Sequence, residues 1–416
     1  MSWFQRSLGP VALDGAARHL IGVEGAFLAR DHERTFLGAF PCERSTAVDP
    51  EPDLRPTAWS SPLPRWLGLL PYEAFRGAER ARVRDTRAAP LLERCEWRRY
   101  PAVAVHDRGA LRVEGEDEGA VVRLAELLAQ PPTAARVPAS LSWAASAEPG
   151  EAHAERVRRA LEQIDAGQLY QVNLARRFEF TTQSHPIELL EALGLAGRAP
   201  FSLALSFGEV GVVSGSPELF LDVTPDGRIE TRPIKGTRPR GATPALDLAQ
   251  RIELEQSEKE QAELTMVIDL ERNDLGRVAE IGSVHVSRAP HVVTHPTVHH
   301  REAAVTAQLR AGVTRTELLE ATMPSGSVTG APKQRAMELI AELEPVRRGL
   351  YTGALGLLGH DGHLRLSMAI RVLTLRGTVA HYYAGGGIVA ESVPDSEVHE
   401  TWWKTRFLGE LLDVEN

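Results

Sequence analysis

Lysine is scarce in this chain. It occurs only as Lys235, Lys259, Lys333 and Lys404, and the remaining 43 of the 47 basic residues are arginine. Lysine is therefore not the default surface cation here, and each one invites a chemical reason. Cysteine is scarcer still. Cys42 and Cys95 stand alone with no CxxC pair, which excludes a disulfide framework, a zinc ribbon and a redox motif. There is no basic run and no basic patch interleaved with aromatics, and the net charge is −9, which argues against nucleic-acid binding. No segment approaches the ~18 consecutive apolar residues of a membrane span. The opening MSWFQRSLGPVALDG has no continuous apolar core of a signal peptide. These absences read as a cytoplasmic protein without nucleic-acid or membrane partners.

What is present is an ordinary globular profile: 416 residues, 43% hydrophobic and 25% charged, enough for two domains or one large one. QPPTAARVPAS (130–140) and WAASAEPGEAHAE (143–155) read as linkers, rich in Pro, Ala and small polar residues. Residues 1–140 then form an N-terminal α+β portion, and 150–416 a second region. In the first, PAVAVHDRGALRVEGED predicts a hairpin around Asp107–Gly109, and AVVRLAELLAQ a helix. In the second, AERVRRALEQIDAG places Val157, Leu161 and Ile164 at helical spacing before Gly167. LYQVNLARRFEF alternates as a strand. Asp226–Gly227, Asp361–Gly362 and Arg376–Gly377 mark further turns. LDLAQRIELEQSEKEQAELTMVIDLERNDLG is one long helix or two with a break. Hairpins and meanders interrupted by long helices predict an α+β fold of antiparallel sheets with helices on their outer faces.

Two helices repeat one pattern. Glu260 and Glu263 in SEKEQAEL, and Glu397 and Glu400 in SEVHETWWK, are each spaced i, i+3 and share a helix face. Such faces are either solvated or, if they meet, in need of a cation between them. Hard divalent ions such as Mg²⁺ take oxygen ligands of this kind. The run AGGGIV (384–389) is a tight turn or a set of open backbone amides that an anion can approach. SGSVTGAPK lacks the order of a nucleotide-triphosphate loop. Tyr351 and Arg371 lie on or beside apolar strands, where arginine must snorkel or meet a buried anion. Glu218 in GSPELFL is a turn carboxylate or an acid with a raised pKa. His300 follows His299, and on pattern alone neither is selected. Lys235 in TRPIKGTRPRG is an anion-binding charge, a surface lysine or a nucleophile, since lysine can lose its proton and arginine cannot. Arg232, Arg238 and Arg240 flank it, and their field would favour the neutral amine.

Together PIKGTRPRG, DLERNDLGRV, MPSGSVTGAPKQRAMELI, GLYTGALG, AGGGIVAES and HETWWKT resemble the chorismate-utilising enzymes, in that family's motif order over residues 150–416. FLGAF and WLGLLPYEAF extend the likeness more loosely toward the N-terminus. The resemblance implies an anthranilate-synthase-like fold of two packed, mainly antiparallel sheets and Mg²⁺-dependent chemistry on chorismate. It implies Glu263 and Glu400 as metal ligands, with Glu260 and Glu397 as nearby or water-mediated ones. Tyr351, Arg371 and the Gly385, Gly386 and Gly387 amides would hold the enolpyruvyl carboxylate, with Lys404 adding charge. Gln171, Thr237 and Ser327 would also contact substrate. Glu218 would assist departure of the C4 hydroxyl, with His300 near the leaving group.

Two positions separate the family's members. Isochorismate and salicylate synthases are similar in carrying a lysine base in the strand that here reads LYQVNLA, where this chain has Gln171. Anthranilate synthases typically read PIAGT where this chain reads PIKGT. The lysine form resembles aminodeoxychorismate synthase component I, in which the amine attacks ring C2 and ammonia then enters at C4. The expected activity is amination of chorismate to 4-amino-4-deoxychorismate for para-aminobenzoate and folate synthesis. The alternatives are an anthranilate synthase component I, an aminodeoxyisochorismate synthase, or a non-catalytic chorismate-binding subunit. HHREA departs from the hydrophobic-Val-Ser that commonly follows the histidine. GAFLARDHERTFLGA lacks the Leu-Leu-Glu-Ser that accompanies tryptophan binding, so tryptophan feedback is not expected. Neither cysteine sits in a nucleophile elbow, so ammonia is expected from a separate glutamine amidotransferase subunit or from solution.

Overall fold

The computed structural model describes residues 3–31, 34–52, 63–75, 87–130, 138–146, 148–194 and 199–413. Alternating runs form its strands, and glycines at positive φ close several of the hairpins between them. Gly109 (φ 82°) turns Ala102–Asp107 into Ala110–Gly115, and Gly227 (φ 82°) turns Leu219–Val223 into Arg228–Arg232. Gly362 and Gly377 do the same for Ala354–Gly359 with Leu364–Met368, and for Val372–Arg376 with Val379–Ile388. Among the described residues the strands build two sheets, of thirteen and ten strands. Their ladders are antiparallel apart from Leu412–Asp413 beside Leu141–Ser142.

The sheets pack face to face through Phe27, Phe36, Leu205 and Tyr383 of one and Leu67, Leu69 and Leu355 of the other. Helices cover the outer faces. Leu264, Ile268 and Leu275 of helix Glu258–Gly276 pack on Ile229 and Val305. Val157 of helix Gly150–Asp165 and Ile340 of helix Lys333–Leu343 pack on Val172 and Leu174. Each fully buried leucine or isoleucine of this kind contributes about 2 kcal/mol. The architecture is the α+β arrangement of two sheets and outer helices. Strands that precede residue 140 enter both sheets: Phe27–Asp31 pairs with Phe201–Phe207, and Pro64–Leu70 pairs with Ala354–Gly359.

One local expectation changes, and one alternative is decided. Residues 131–137 of the first linker lie outside the described residues. The second linker is not one: Leu141–Ser146 is a strand paired with Gln171–Thr181, and a helix begins at Gly150. Small side chains concealed a segment that is held in place by Trp143, which stacks on Trp402 at 5.5 Å. The long helical run resolves into Pro244–Gln256 and Glu258–Gly276, broken at Ser257. The Ser257 hydroxyl accepts the Glu260 N–H at 3.3 Å and caps the second helix. That break places Lys259, Glu260 and Glu263 in the first two turns.

Candidate active site

One cavity of about 690 Å³ gathers the chemistry. It is lined by Glu218, Lys235, Thr237, Glu260, Glu263, His300, Ser327, Tyr351, Arg371, Gly385, Gly386, Gly387, Glu397, Glu400 and Lys404. Every site residue proposed from the sequence is therefore in this one place, except Gln171. That side chain is fully buried behind the glycine run, where a Cβ on Gly387 would lie 2.6 Å from its Nε2. Neither of its amide heteroatoms has a hydrogen-bond partner among the described residues.

Helix Glu258–Gly276 and helix Pro394–Thr405 bring their glutamates to the same cavity. Gly386 lies beneath the second pair: a Cβ there would sit 2.9 Å from Glu397 Oε2 and 3.1 Å from Glu400 Oε1. Gly236, at φ 80°, packs similarly against Glu260. The scarce lysines interleave with these carboxylates. Lys235 Nζ is 3.9 Å and Lys259 Nζ 4.0 Å from Glu263, while Lys404 donates to Glu400 Oε1 and to the Gly385 carbonyl, each at 2.6 Å. Burial raises the Glu263 pKa; Lys235 opposes that, and Glu260 and Glu400 add to it. Glu397 is raised by burial against a hydrogen bond from Ser392. Burial also opposes ionisation of Glu400, but Lys404, Lys259 and Lys235 outweigh it and hold that carboxyl low.

This donor set fits a hard divalent cation, which prefers carboxylate oxygens. Among the described residues no three His, Cys, Asp or Glu groups already converge on one metal position, so the donors are present without being preassembled.

Glu218 is enclosed between strands Val210–Ser216 and Leu219–Val223. Ser327 donates to its Oε1 at 2.7 Å. Burial pushes its pKa up to about 7, against the Ser327 bond and the charge of Lys235. A carboxyl in this range holds a proton near neutrality and can give it up. His300 lies opposite Thr237 in the ladder, and Thr237 Oγ1 is 2.9 Å from its Nδ1. Burial, then Arg371 and His295, lowers the His300 pKa to about 3, so its ring is neutral at pH 7. His299, one residue earlier, faces the other way and meets Asp247 at 2.9 Å.

The arginines beside Lys235 do not provide the field that the sequence suggests. Arg238 pairs with Glu253 and Glu260, Arg240 with Asp247, and Arg232 with Glu230. Each charge is answered by a carboxylate. Arg371 differs: among the described residues no carboxylate pairs with it, although it is half-buried at the cavity wall. Tyr351 stacks on Tyr383 at 5.3 Å beside it. Asn173, Lys259, Tyr383 and Trp403 also line the cavity and were not selected. The period of two puts Asn173 on the same strand face as Gln171, which was a usable signal. Lys259 carried its own signal in the scarcity of lysine. Tyr383 and Trp403 carried none beyond adjacency to the glycine and glutamate motifs.

Two antiparallel sheets with outer helices, enclosing a cavity of carboxylates, lysines and glycine amides, define an α+β enzyme-like class. The chain belongs to the family of chorismate binding enzymes, matched over residues 15–410. It is 44% identical over 351 residues to aminodeoxychorismate synthase component 1 of Klebsiella aerogenes, covering 83% of this chain and 76% of that protein. It is 43% identical over 263 residues to an anthranilate synthase component 1 of Haloarcula marismortui, covering 63% of this chain. That match spans only 54% of the Haloarcula protein's length. In fold it is similar to the menaquinone-specific isochorismate synthase of Escherichia coli, with a TM-score of 0.77, 18% identity, and coverage of 98% of this chain and 93% of that one. Among the described residues no helix is long and apolar enough to cross a membrane.

Proposed function

We propose that this chain is an aminodeoxychorismate synthase component I, which aminates chorismate with ammonia to 4-amino-4-deoxychorismate. The observation that carries this reading is Lys235, whose amine lines the same cavity as the acid Glu218, with a side-chain exposure of 13%. A surface cation would not be placed there, and a binder has no use for a shielded nucleophile.

In this reading the Lys235 amine forms a bond to ring C2. The ring double bonds shift, the C4–O bond breaks, and the proton of Glu218 leaves with the oxygen as water. Ammonia then bonds to C4, the C2–N bond breaks, and Lys235 is released. Dividing one difficult displacement into two is the usual benefit of a covalent step. Arg371, Tyr351 and the Gly385–Gly387 backbone hold the enolpyruvyl carboxylate, with Thr237 and His300 beside the departing oxygen. Glu260, Glu263, Glu397 and Glu400 would hold Mg²⁺, which would anchor the ring carboxylate by charge. Gln171 is an amide where a base would be needed to activate water, so hydroxylation is disfavoured. Ammonia comes from a glutamine amidotransferase partner or from solution, and the product serves para-aminobenzoate and folate synthesis in the cytoplasm.

The rival is an anthranilate synthase activity, favoured by relatives of that name at similar identity. The test is incubation with chorismate, Mg²⁺ and an ammonium salt, with and without an aminodeoxychorismate lyase. Para-aminobenzoate formed only when the lyase is present supports the proposal. Anthranilate formed without it overturns the proposal.

A further inference from the structure

Three cavities lie along a line of polar residues, two of them sharing Asp274 and the third joined to them by a pair of serine hydroxyls. The catalytic cavity is walled by Glu218 and Ser327. A small void of about 10 Å³ is walled by Thr231, Glu271, Asp274, Thr322 and Ser325. An open groove on the other side of helix Glu258–Gly276 is walled by Asp274 and Lys333. Asp274 thus belongs to both groove and void. At the inner end, the Ser325 hydroxyl of the void lies 3.1 Å from that of Ser327, which donates to Glu218.

Glu271 stands between these ends, on the apolar face that also carries Leu264, Val267 and Ile268. It is 6% exposed, and among the described residues its one side-chain hydrogen bond comes from Thr231 at 3.0 Å. A hydrophobic residue would pack here at lower cost than a carboxyl. Burial raises the Glu271 pKa well above normal, and the charges of Glu218 and Asp274 add to that; Thr231 and Lys333 oppose it. Its environment favours the protonated form, and it does not line the substrate cavity. Asp274 is also raised by burial, against Lys333 and Arg277. Lys333 closes the outer end, paired with Asp274 and donating to the Thr322 carbonyl at 3.4 Å.

We propose that Asp274 and Glu271 form a proton relay that reloads Glu218 from the outer groove, by a route separate from the substrate cavity. The inference rests on Glu218 being the acid of the proposed reaction. Each turnover sends the Glu218 proton away with the C4 oxygen as water and leaves a carboxylate. Glu271 gives its proton through the Ser325 and Ser327 hydroxyls, and regains one from Asp274, which takes one from water in the groove. The proton that ammonia sheds on bonding to C4 goes to solvent, so the cycle balances. The charged groups facing the path are Lys235 at Glu218, Lys333 at Glu271, and Lys333 and Arg277 at Asp274.

The test is steady-state chorismate consumption by Glu271→Gln, Glu271→Asp and Asp274→Asn. Glu271→Gln should lower kcat about tenfold or more with KM for chorismate unchanged. Its solvent deuterium isotope effect should rise, and formic acid in the buffer should restore part of the rate. Glu271→Asp should retain most of kcat. Asp274→Asn should also slow turnover, and it reads the same path if Glu271→Gln does not fold. A Glu271→Gln enzyme with wild-type kcat overturns the relay. So does a loss of kcat that formic acid does not reverse and that leaves the isotope effect unchanged, which is the mark of a merely structural role. If the unaltered chain leaves chorismate intact, the proposed function fails and the relay with it. If it consumes chorismate while Glu271→Gln matches it, the relay alone fails.

Discussion

Lys235 Nζ stands 3.9 Å from Glu263 Oε2, on a strand that faces the first turns of the glutamate-bearing helix. The pair joins the two parts of the proposed chemistry, a nucleophile and a metal-binding carboxylate. Lys235→Ala should abolish amination. Chorismate supplied without ammonia should add mass to Lys235 in the unaltered chain and nothing in the variant. Lys235→Arg keeps the charge but not the nucleophile, and should be as inactive as the alanine form. An arginine variant with near-normal turnover would reduce Lys235 to a point charge.

Glu218 sets a pH dependence of two kinds. Its pKa is pushed up to about 7 by burial, so the native state holds this proton more tightly than the unfolded chain does. The stability it contributes is complete below the ordinary carboxylate range. It is lost as pH rises from there through about 7. The loss is on the order of 3 kcal/mol at alkaline pH. Glu218→Gln should therefore match the parent in stability near pH 4 and exceed it at pH 8. Denaturant unfolding at the two pH values reads this directly. Activity should fall on the alkaline side of about pH 7, where the acid is no longer protonated. A Glu218→Gln enzyme that gains no stability at pH 8 would mean that the carboxyl is not held protonated.

The sequence made the turns and the motif chemistry legible because both are local. Asp226–Gly227 and Arg376–Gly377 place the glycine where positive φ is needed, and both glycines adopt it. Glu260 with Glu263, and Glu397 with Glu400, are visible because i, i+3 fixes a shared face before any tertiary contact forms. That the two faces meet across one cavity is not local, and spacing within either helix does not contain it. The strand Leu141–Ser146 was hidden for the same reason: alanine and serine give no period, and its pairing partner, Phe178–Thr181, is distant in sequence. The neutralised arginines show the converse limit. Arg238 and Arg240 looked like neighbours of Lys235 by number, but their guanidinium groups reach Glu253 and Asp247 on helix Pro244–Gln256.

Metal dependence is checked through the glutamates and the glycine beneath them. Chorismate binding, followed by calorimetry, should require Mg²⁺ and disappear with EDTA. Glu263→Gln and Glu400→Gln should each weaken Mg²⁺ binding by about tenfold or more, by removing a charged ligand. Gly386→Ala should do so without replacing a ligand, because its Cβ would press on Glu397 at 2.9 Å and on Glu400 at 3.1 Å. The alanine form should remain folded, since only side chains need to give way. Mg²⁺ affinity unchanged in all three variants would remove the metal from the proposal.

Arg371 offers the sharpest separation of binding from stability. It is a half-buried guanidinium at φ 52°, without a carboxylate partner among the described residues, and burial lowers its pKa. Both the unpaired charge and the left-handed backbone are costs to folding. A substrate carboxylate would offset the first, and a charge-assisted hydrogen bond to it is worth about 2 kcal/mol. Arg371→Gln should therefore raise KM for chorismate by about thirtyfold, the equivalent of that energy. It should also raise Tm, because a half-buried unpaired cation is gone. A structural arginine would behave in the opposite way, losing Tm and leaving KM alone. Parallel thermal melts and Michaelis curves on the one variant decide between the two roles.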